Sequence, residues 1–254
     1  MRPSVLICAA VFTVSTSFAQ TTDQDIRKEI QELKEGQAAI QKDLQEIKRL
    51  LLLTRSGPAL DTLPKDPINI SNDPKRGERT ARVAIIEYSD FQCPYCGRYD
   101  RETFPQIEDE YIKTGKVQYV WRDLPLSFHK NAPKAAEAAR CAGEQGKFWD
   151  MHDRLFHNQA ALEATDLAAH ATALKLDSKE FQECLDGGRY GSAIQKSVDE
   201  ANSVGLTGTP SFLIGIVQPD STVKVARKII GARSYADFKA VIDSLLAAPG
   251  AQAQ

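Results

Sequence analysis

The stretch Phe91-Gln92-Cys93-Pro94-Tyr95-Cys96-Gly97 constrains the fold more than any other part of the chain. It follows residues 83–88, a short apolar and β-branched run that reads as a buried strand. It opens a segment of helical character that extends to about Thr114, with a break at Pro105. Pro94 suits a first helical turn, where its missing N–H is no loss. Cys93 then stands at a helix N-terminus, where unpaired backbone N–H groups and the helix dipole favour negative charge. Thiolate is the nucleophile of thiol–disulfide exchange, so this position raises the reactive fraction near neutral pH. Cys96 lies about one turn further on the same face. From there it can attack a mixed disulfide at Cys93 and release the partner.

Other uses of two such cysteines fit less well. A structural zinc site needs a second close pair, and Cys141 and Cys184 lie far apart in the sequence. A purely structural disulfide across two residues is uncommon. Two thiolates can bind a soft metal such as Cu(I). Redox exchange accounts for strand, proline and spacing together, needs no cofactor, and calls for no metal ligand set. The histidines His129, His152, His157 and His170 show no ligand spacing and read as surface or helix-end residues, and Arg122 and Asp123 as local structure at a strand end.

The 254 residues carry a formal charge of -2, which excludes a global electrostatic footprint for nucleic acid. Residues 1–20 form a signal-peptide pattern: Arg2, an apolar run over 5–14, and small residues at Ser17 and Ala19. Cleavage is expected near Ala19, with export to the periplasm or beyond; the apolar run is too short for a membrane anchor. Export would remove Cys8 and leave four cysteines, an even number suited to an oxidising compartment.

Residues 20–54 read as a coiled-coil stalk. Ile26, Leu33, Ile40 and Ile47 occupy one heptad position; Ile30, Gln37, Leu44 and Leu51 occupy the other. On a parallel neighbour Glu29 would face Lys34 and Asp43 would face Lys48. The competing reading is one amphipathic helix packed on its own domain. The charges beside the stripe favour a homodimer or homotrimer through residues 23–53, with the trimer slightly ahead. Residues 55–80 hold four prolines among Ser, Gly, Asn and Asp and read as a linker, with one short strand at 68–70.

The body is expected over 81–254. Its second strand is 117–121; residues 131–203 are helical throughout, with turns near Gly146, Asp177 and Gly187-Gly188. Strands follow at 211–216 and 223–230, then a last helix capped by Ser234. This order gives an α/β fold, a small sheet with a helical insertion.

Three motifs carry a family resemblance. They are Glu87-Tyr-Ser-Asp-Phe-Gln-Cys-Pro-Tyr-Cys96, Ala138-Ala-Arg-Cys-Ala-Gly-Glu-Gln-Gly-Lys-Phe-Trp149, and Gly208-Thr-Pro-Ser-Phe212. Over residues 68–246 the chain resembles the DsbA-like branch of the thioredoxin superfamily. The resemblance implies a thioredoxin fold with an inserted helical domain. It implies a cis peptide at Thr209-Pro210 beside the cysteines, where backbone groups hold the substrate strand. It implies a buried acid at Glu87 that moves a proton to or from Cys96; taken alone, Glu87 also reads as a strand-end carboxylate facing solvent. Pro94 and Tyr95 would tune the potential. Cys141 and Cys184 are expected to form a structural disulfide, the alternative being a second redox pair.

Cys-Pro-Tyr-Cys with Thr before the proline is similar to isomerase and reductase members more than to strong oxidases. Several active sites around one stalk could hold a misfolded client at more than one point, which also favours isomerase. Stalked members include isomerases linked to copper tolerance. The expected partners are cysteine-bearing protein clients and a membrane redox partner. Protein disulfide oxidase is the alternative, and an oligomeric periplasmic chaperone or copper binder is an alternative of another class.

Overall fold

A computed structural model describes residues 23–55 and 63–248 of the chain. The expected signal peptide and its cleavage site lie outside these residues. Contacts divide the chain at Gly57/Pro58 into two units.

The first unit is helix α1, Asp23–Arg55, of 33 residues. At 1.5 Å per residue it is about 50 Å long. Ile26, Ile30, Leu33, Ile40 and Leu44 are all exposed on it, between 46% and 74%. The helix by itself leaves these five side chains uncovered. No helix among the described residues is long and apolar enough to cross a membrane.

The second unit is built on a six-stranded sheet of β1 (Ile68–Asn69), β2 (Lys75–Arg76), β3 (Val83–Ser89), β4 (Val117–Asp123), β5 (Ser211–Val217) and β6 (Thr222–Ile230). The order is β1-β6-β5-β3-β4-β2, with β3 and β4 parallel and every other pair antiparallel. Strand β3 lies at the centre and is buried along its whole length. A strand covered on both faces can be continuously apolar, which is why residues 83–88 show no polar alternation.

Side chains alternate between two layers. Val83, Ile85, Tyr119, Phe212 and Ile214 pack with α2 (Pro94–Glu102), α3 (Phe104–Ile107), a π-helical turn (Glu108–Ile112) and α9 (Tyr235–Ala247). Ala84, Ile86, Tyr88, Val120 and Leu213 pack on the other face. The inserted helices are α4 (Ala132–Glu144), α5 (Phe148–His157), α6 (Ala164–Ala173), α7 (Ser178–Asp186) and α8 (Gly191–Ser203). The apolar faces of α4 to α7 close a third cluster around Trp121, Phe91, Leu155, Phe156 and Phe181, while α8 packs Ala201 against the layer of Ala84 and Ile86. This is a thioredoxin fold with an inserted helical region.

Local chemistry explains most boundaries. Ser234 and Asp237 form a capping box at α9, as do Glu163 and Asp166 at α6. The Asp177 side chain accepts from the Glu180 N–H at 2.9 Å and starts α7. Gly146, at φ +72°, turns the chain out of α4 in a conformation that disfavours side-chain-bearing residues.

Three features depart from the sequence reading. The second half of the expected linker is in the sheet, because residues 68–76 supply both edge strands. Buried Arg122 holds this segment through Asp73 at 2.8 Å and the Asn69 carbonyl, and also pairs with Glu200 of α8. Arg122 and Asp123 are thus buried network residues, more than local strand-end structure; Asp123 accepts from Trp121 Nε1 at 2.8 Å and pairs with Arg140 at 2.7 Å. His152 and His170 are not at the surface, being 2% and 5% exposed. His152 packs edge-on against Trp121 and Phe156, and His170 accepts from Arg154 at 2.9 Å.

Candidate active site

Cys93 is the N-cap of α2, with Pro94 at the first helical position. The Asp90 carboxylate shapes the loop before it. It accepts from the Gln92 N–H at 2.7 Å and the Leu126 N–H at 2.8 Å, and meets His129 Nδ1 at 2.7 Å. The Cys93 N–H donates to the Asp90 carbonyl at 3.1 Å. Gln159, which sequence reasoning did not single out, ties the loop to the insertion by donating to the carbonyls of Phe91 and Cys93, each at 2.9 Å. Only glycine at position 97 leaves room for it: a Cβ there would lie 2.1 Å from Gln159 Oε1. Nothing in the sequence pairs residues 97 and 159.

The two sulfurs are not bonded to one another. Cys96 has no exposed surface, whereas Cys93 keeps 3%. An incoming disulfide can therefore meet only Cys93. The Cys93 thiol is held down to about 6, first by a hydrogen bond from the Cys96 thiol; burial opposes this, and the backbone N–H groups of Cys96 and Tyr95 add to it. Burial pushes the Cys96 thiol well above its ordinary value, and the adjacent Cys93 adds to the rise. One cysteine is ready to ionise and the other is held as a thiol.

The Thr209-Pro210 peptide is cis, and the Thr209 carbonyl oxygen lies 3.5 Å from Cys93 Sγ. Strand β5 begins at Ser211, antiparallel to β3, so the sheet register fixes this loop beside the cysteines.

Glu87 is 2% exposed and opposes Trp121 on one side and Phe212 on the other. It does not face solvent. Tyr119 donates to Oε2 at 2.6 Å, and the Tyr119 and Tyr99 hydroxyls are 3.1 Å apart. Oε1 has no hydrogen-bond partner among the described residues. Burial raises the carboxyl to about 8, against the lowering effect of the Tyr119 bond. Its charge raises the Cys96 thiol further, so the two groups sense one another. The sequence identified Glu87 but not its tyrosine partners.

Cys141 of α4 and Cys184 of α7 form a disulfide, and each is 1% exposed. Asp100, His152 and Asp153 bring possible metal-ligand atoms within 4.8 Å of one another. Arg76 Nη2 lies 3.0 and 3.1 Å from the two Asp153 oxygens. A guanidinium in that position already neutralises the acid and repels a divalent cation.

Residues 70–244 match the sequence model of the thioredoxin family. The chain belongs to that family. Within the superfamily it is DsbA-like and has the thiol:disulfide oxidoreductase fold. It is similar to α-DsbA1 of Wolbachia pipientis, at 26% identity and a TM-score of 0.61, over 70% of this chain and 93% of that one. BdbD of Bacillus subtilis in its oxidised form matches at 25% and 0.58, over 72% and 99%. DsbA2 of Pseudomonas aeruginosa matches at 27% and 0.53, over 72% and 97%. A stretch of 149 residues, 58% of this chain, is 42% identical to a protein of Salinispora tropica named Na(+)/H(+) antiporter NhaA 3. The match spans only 22% of that much longer protein, so the antiporter name describes the relative alone.

Proposed function

We propose that this thioredoxin-family protein is an exported thiol:disulfide oxidoreductase that exchanges disulfides with protein clients through Cys93 and Cys96, chiefly as an isomerase or reductase. One observation carries the reading: an acidified sulfur with slight exposure sits at a helix N-terminus, with a fully buried thiol one turn behind it.

The Cys93 thiolate attacks one sulfur of a client disulfide. A mixed disulfide forms and the other client sulfur leaves as thiolate. Glu87, in its ionised form, then takes the Cys96 proton, and Cys96 attacks the Cys93 sulfur. The enzyme is left as the Cys93–Cys96 disulfide, two electrons poorer, and the client gains them as two thiols. In isomerisation a client thiolate resolves the mixed disulfide instead, and Cys93 returns unchanged. Thr209 and Pro210 hold the client segment beside Cys93, and Pro94 and Tyr95 tune the potential. Cys141 and Cys184 act as a structural clamp, a role that their burial at 1% supports.

The uncovered stripe on α1 supports self-association into a dimer or trimer, and through it the isomerase reading. The buried disulfide supports an oxidising compartment such as the periplasm, with a membrane redox partner resetting the cysteines.

Refolding of scrambled ribonuclease tests the reading. The parent should restore activity, Cys93→Ser should not, and Leu33→Asp/Ile40→Asp should slow shuffling without abolishing exchange. Shuffling at parental rate by Cys93→Ser would remove the proposal.

The acidity of Cys93 favours a second reading. A depressed nucleophile pKa stabilises the reduced enzyme and makes its disulfide more oxidising. Faster oxidation of a reduced peptide than shuffling of ribonuclease would select oxidase.

A further inference from the structure

Beside the cysteine pair lies a cavity of about 330 Å³, lined by Tyr95, Arg98, Thr209, Ile230 and Arg233 among others. Thr209 joins it directly to the exchange site, because the Thr209 carbonyl is 3.5 Å from Cys93 Sγ. Both arginines are exposed. Backbone carbonyls hold both guanidinium groups. Arg98 reaches the Ala232 oxygen at 3.5 Å and lies over the Tyr95 ring at 5.3 Å. Arg233 Nε donates to the Ile230 oxygen at 3.1 Å. Each guanidinium carries five N–H donors, so each keeps donors for a ligand.

Arg76, Arg122, Arg140 and Arg189 each grip a carboxylate of this chain. Arg98 and Arg233 form no ion pair among the described residues. Glu102 shares a second cavity of about 220 Å³ with both arginines but bridges to neither. No acidic residue lines the cavity next to Thr209. Two unpaired guanidinium groups thus border the place where a client must lie.

We propose that this cavity is a carboxylate-recognising subsite, which selects protein clients bearing an acidic residue within two positions of the cysteine under attack. The inference rests on the exchange activity proposed above and adds a client preference to it. An extended segment advances about 3.3 Å per residue, so a side chain one or two positions from the disulfide stays beside the cavity that meets the exchange site at Thr209. The planar guanidinium matches a carboxylate with paired hydrogen bonds.

The test uses three disulfide-linked peptides, identical except for Asp, Asn or Lys two positions from the cysteine. Each rate of exchange with full-length reduced protein is divided by the same peptide's rate with a neutral small dithiol. This division removes intrinsic reactivity. The parent should favour Asp over Asn by about fivefold, and Asn over Lys. Raising the salt should shrink both ratios. Arg98→Gln/Arg233→Gln should bring them toward one, and Arg98→Glu/Arg233→Glu should invert the order. Equal rates for the three peptides with the parent, or an unchanged order in the charge-reversed protein, overturn the subsite while leaving exchange intact. Failure of the parent to react with any peptide defeats the exchange reading itself, and the subsite with it.

Discussion

The Tyr119 hydroxyl donates a 2.6 Å hydrogen bond to the Glu87 carboxylate, and does so at the buried centre of the sheet. A strand residue and its parallel neighbour thereby hold an acid that water cannot reach. Burial raises its pKa from 4.5 to about 8. The raised value favours the protonated form in the folded state.

That sign fixes a stability prediction. The carboxyl ionises near 4.5 when unfolded and near 8 when folded. Stability tied to the protonated form is complete below the lower value and is lost as pH rises toward the upper one. Glu87→Gln cannot ionise, so its stability advantage in the reduced protein should grow from pH 4.5 to 8, to at most about 3 kcal/mol at pH 7. Urea unfolding at several pH values measures it. An advantage that stays flat with pH would falsify the burial argument. The same variant should slow the resolving attack of Cys96, while initial attack by Cys93 is changed less.

Cys93 should titrate near pH 6, seen as thiolate absorbance or as alkylation rate. Reactivity should rise through that pH and be level by about pH 8, whereas an ordinary thiol is still gaining there. Because the Cys96 thiol is the largest source of the acidity, Cys96→Ala should move the midpoint upward. A midpoint unmoved by that change would leave the helix N-terminus as the main cause.

The Cys141–Cys184 bond closes a sequence separation of 43 residues. Chain entropy gives about 4 kcal/mol for a loop of that size. Cys141→Ala/Cys184→Ala should lower unfolding stability by up to that amount and leave the Cys93 titration in place. Partial reduction followed by mass analysis should open Cys93–Cys96 first. If the buried pair opens first, the structural assignment fails.

Leu33 and Ile40 are 74% and 62% exposed on α1. Leu33→Asp/Ile40→Asp should convert the full chain to monomer in analytical ultracentrifugation, with the helical signal falling as the stripe loses its cover. A parent protein that already sediments as a monomer would defeat the stalk proposal, along with its argument for isomerase.

Periodicity made the central strands and the terminal helix legible. Apart from Glu87 and Ser211, residues 83–88 and 211–216 show the apolar character that a doubly covered strand requires, and Ser234 marks its helix by local hydrogen bonding. The Cys93–Cys96 pair was legible because its chemistry is contained in four consecutive residues. The edge strands at 68–69 and 75–76 were not legible beyond the first. Their pairing depends on Arg122, which is distant in sequence and has no local signature. His152 was misjudged for a similar reason: its surroundings are apolar only after five aromatic rings converge on it.

The amino-acid order alone placed Cys93 at the mouth of a proline-started helix with Cys96 one turn behind it, whereas burial by tertiary packing decided that Cys96 stays a thiol. The order also determined the alternation that sends Glu87 to the same sheet face as Val83 and Ile85. Tertiary structure alone decided that Glu87 meets Tyr119, that Thr209 meets Cys93, and that Arg98 stands with Arg233. Each of those contacts joins groups from different elements, and only packing of the sheet against its helices brings them within a few ångströms.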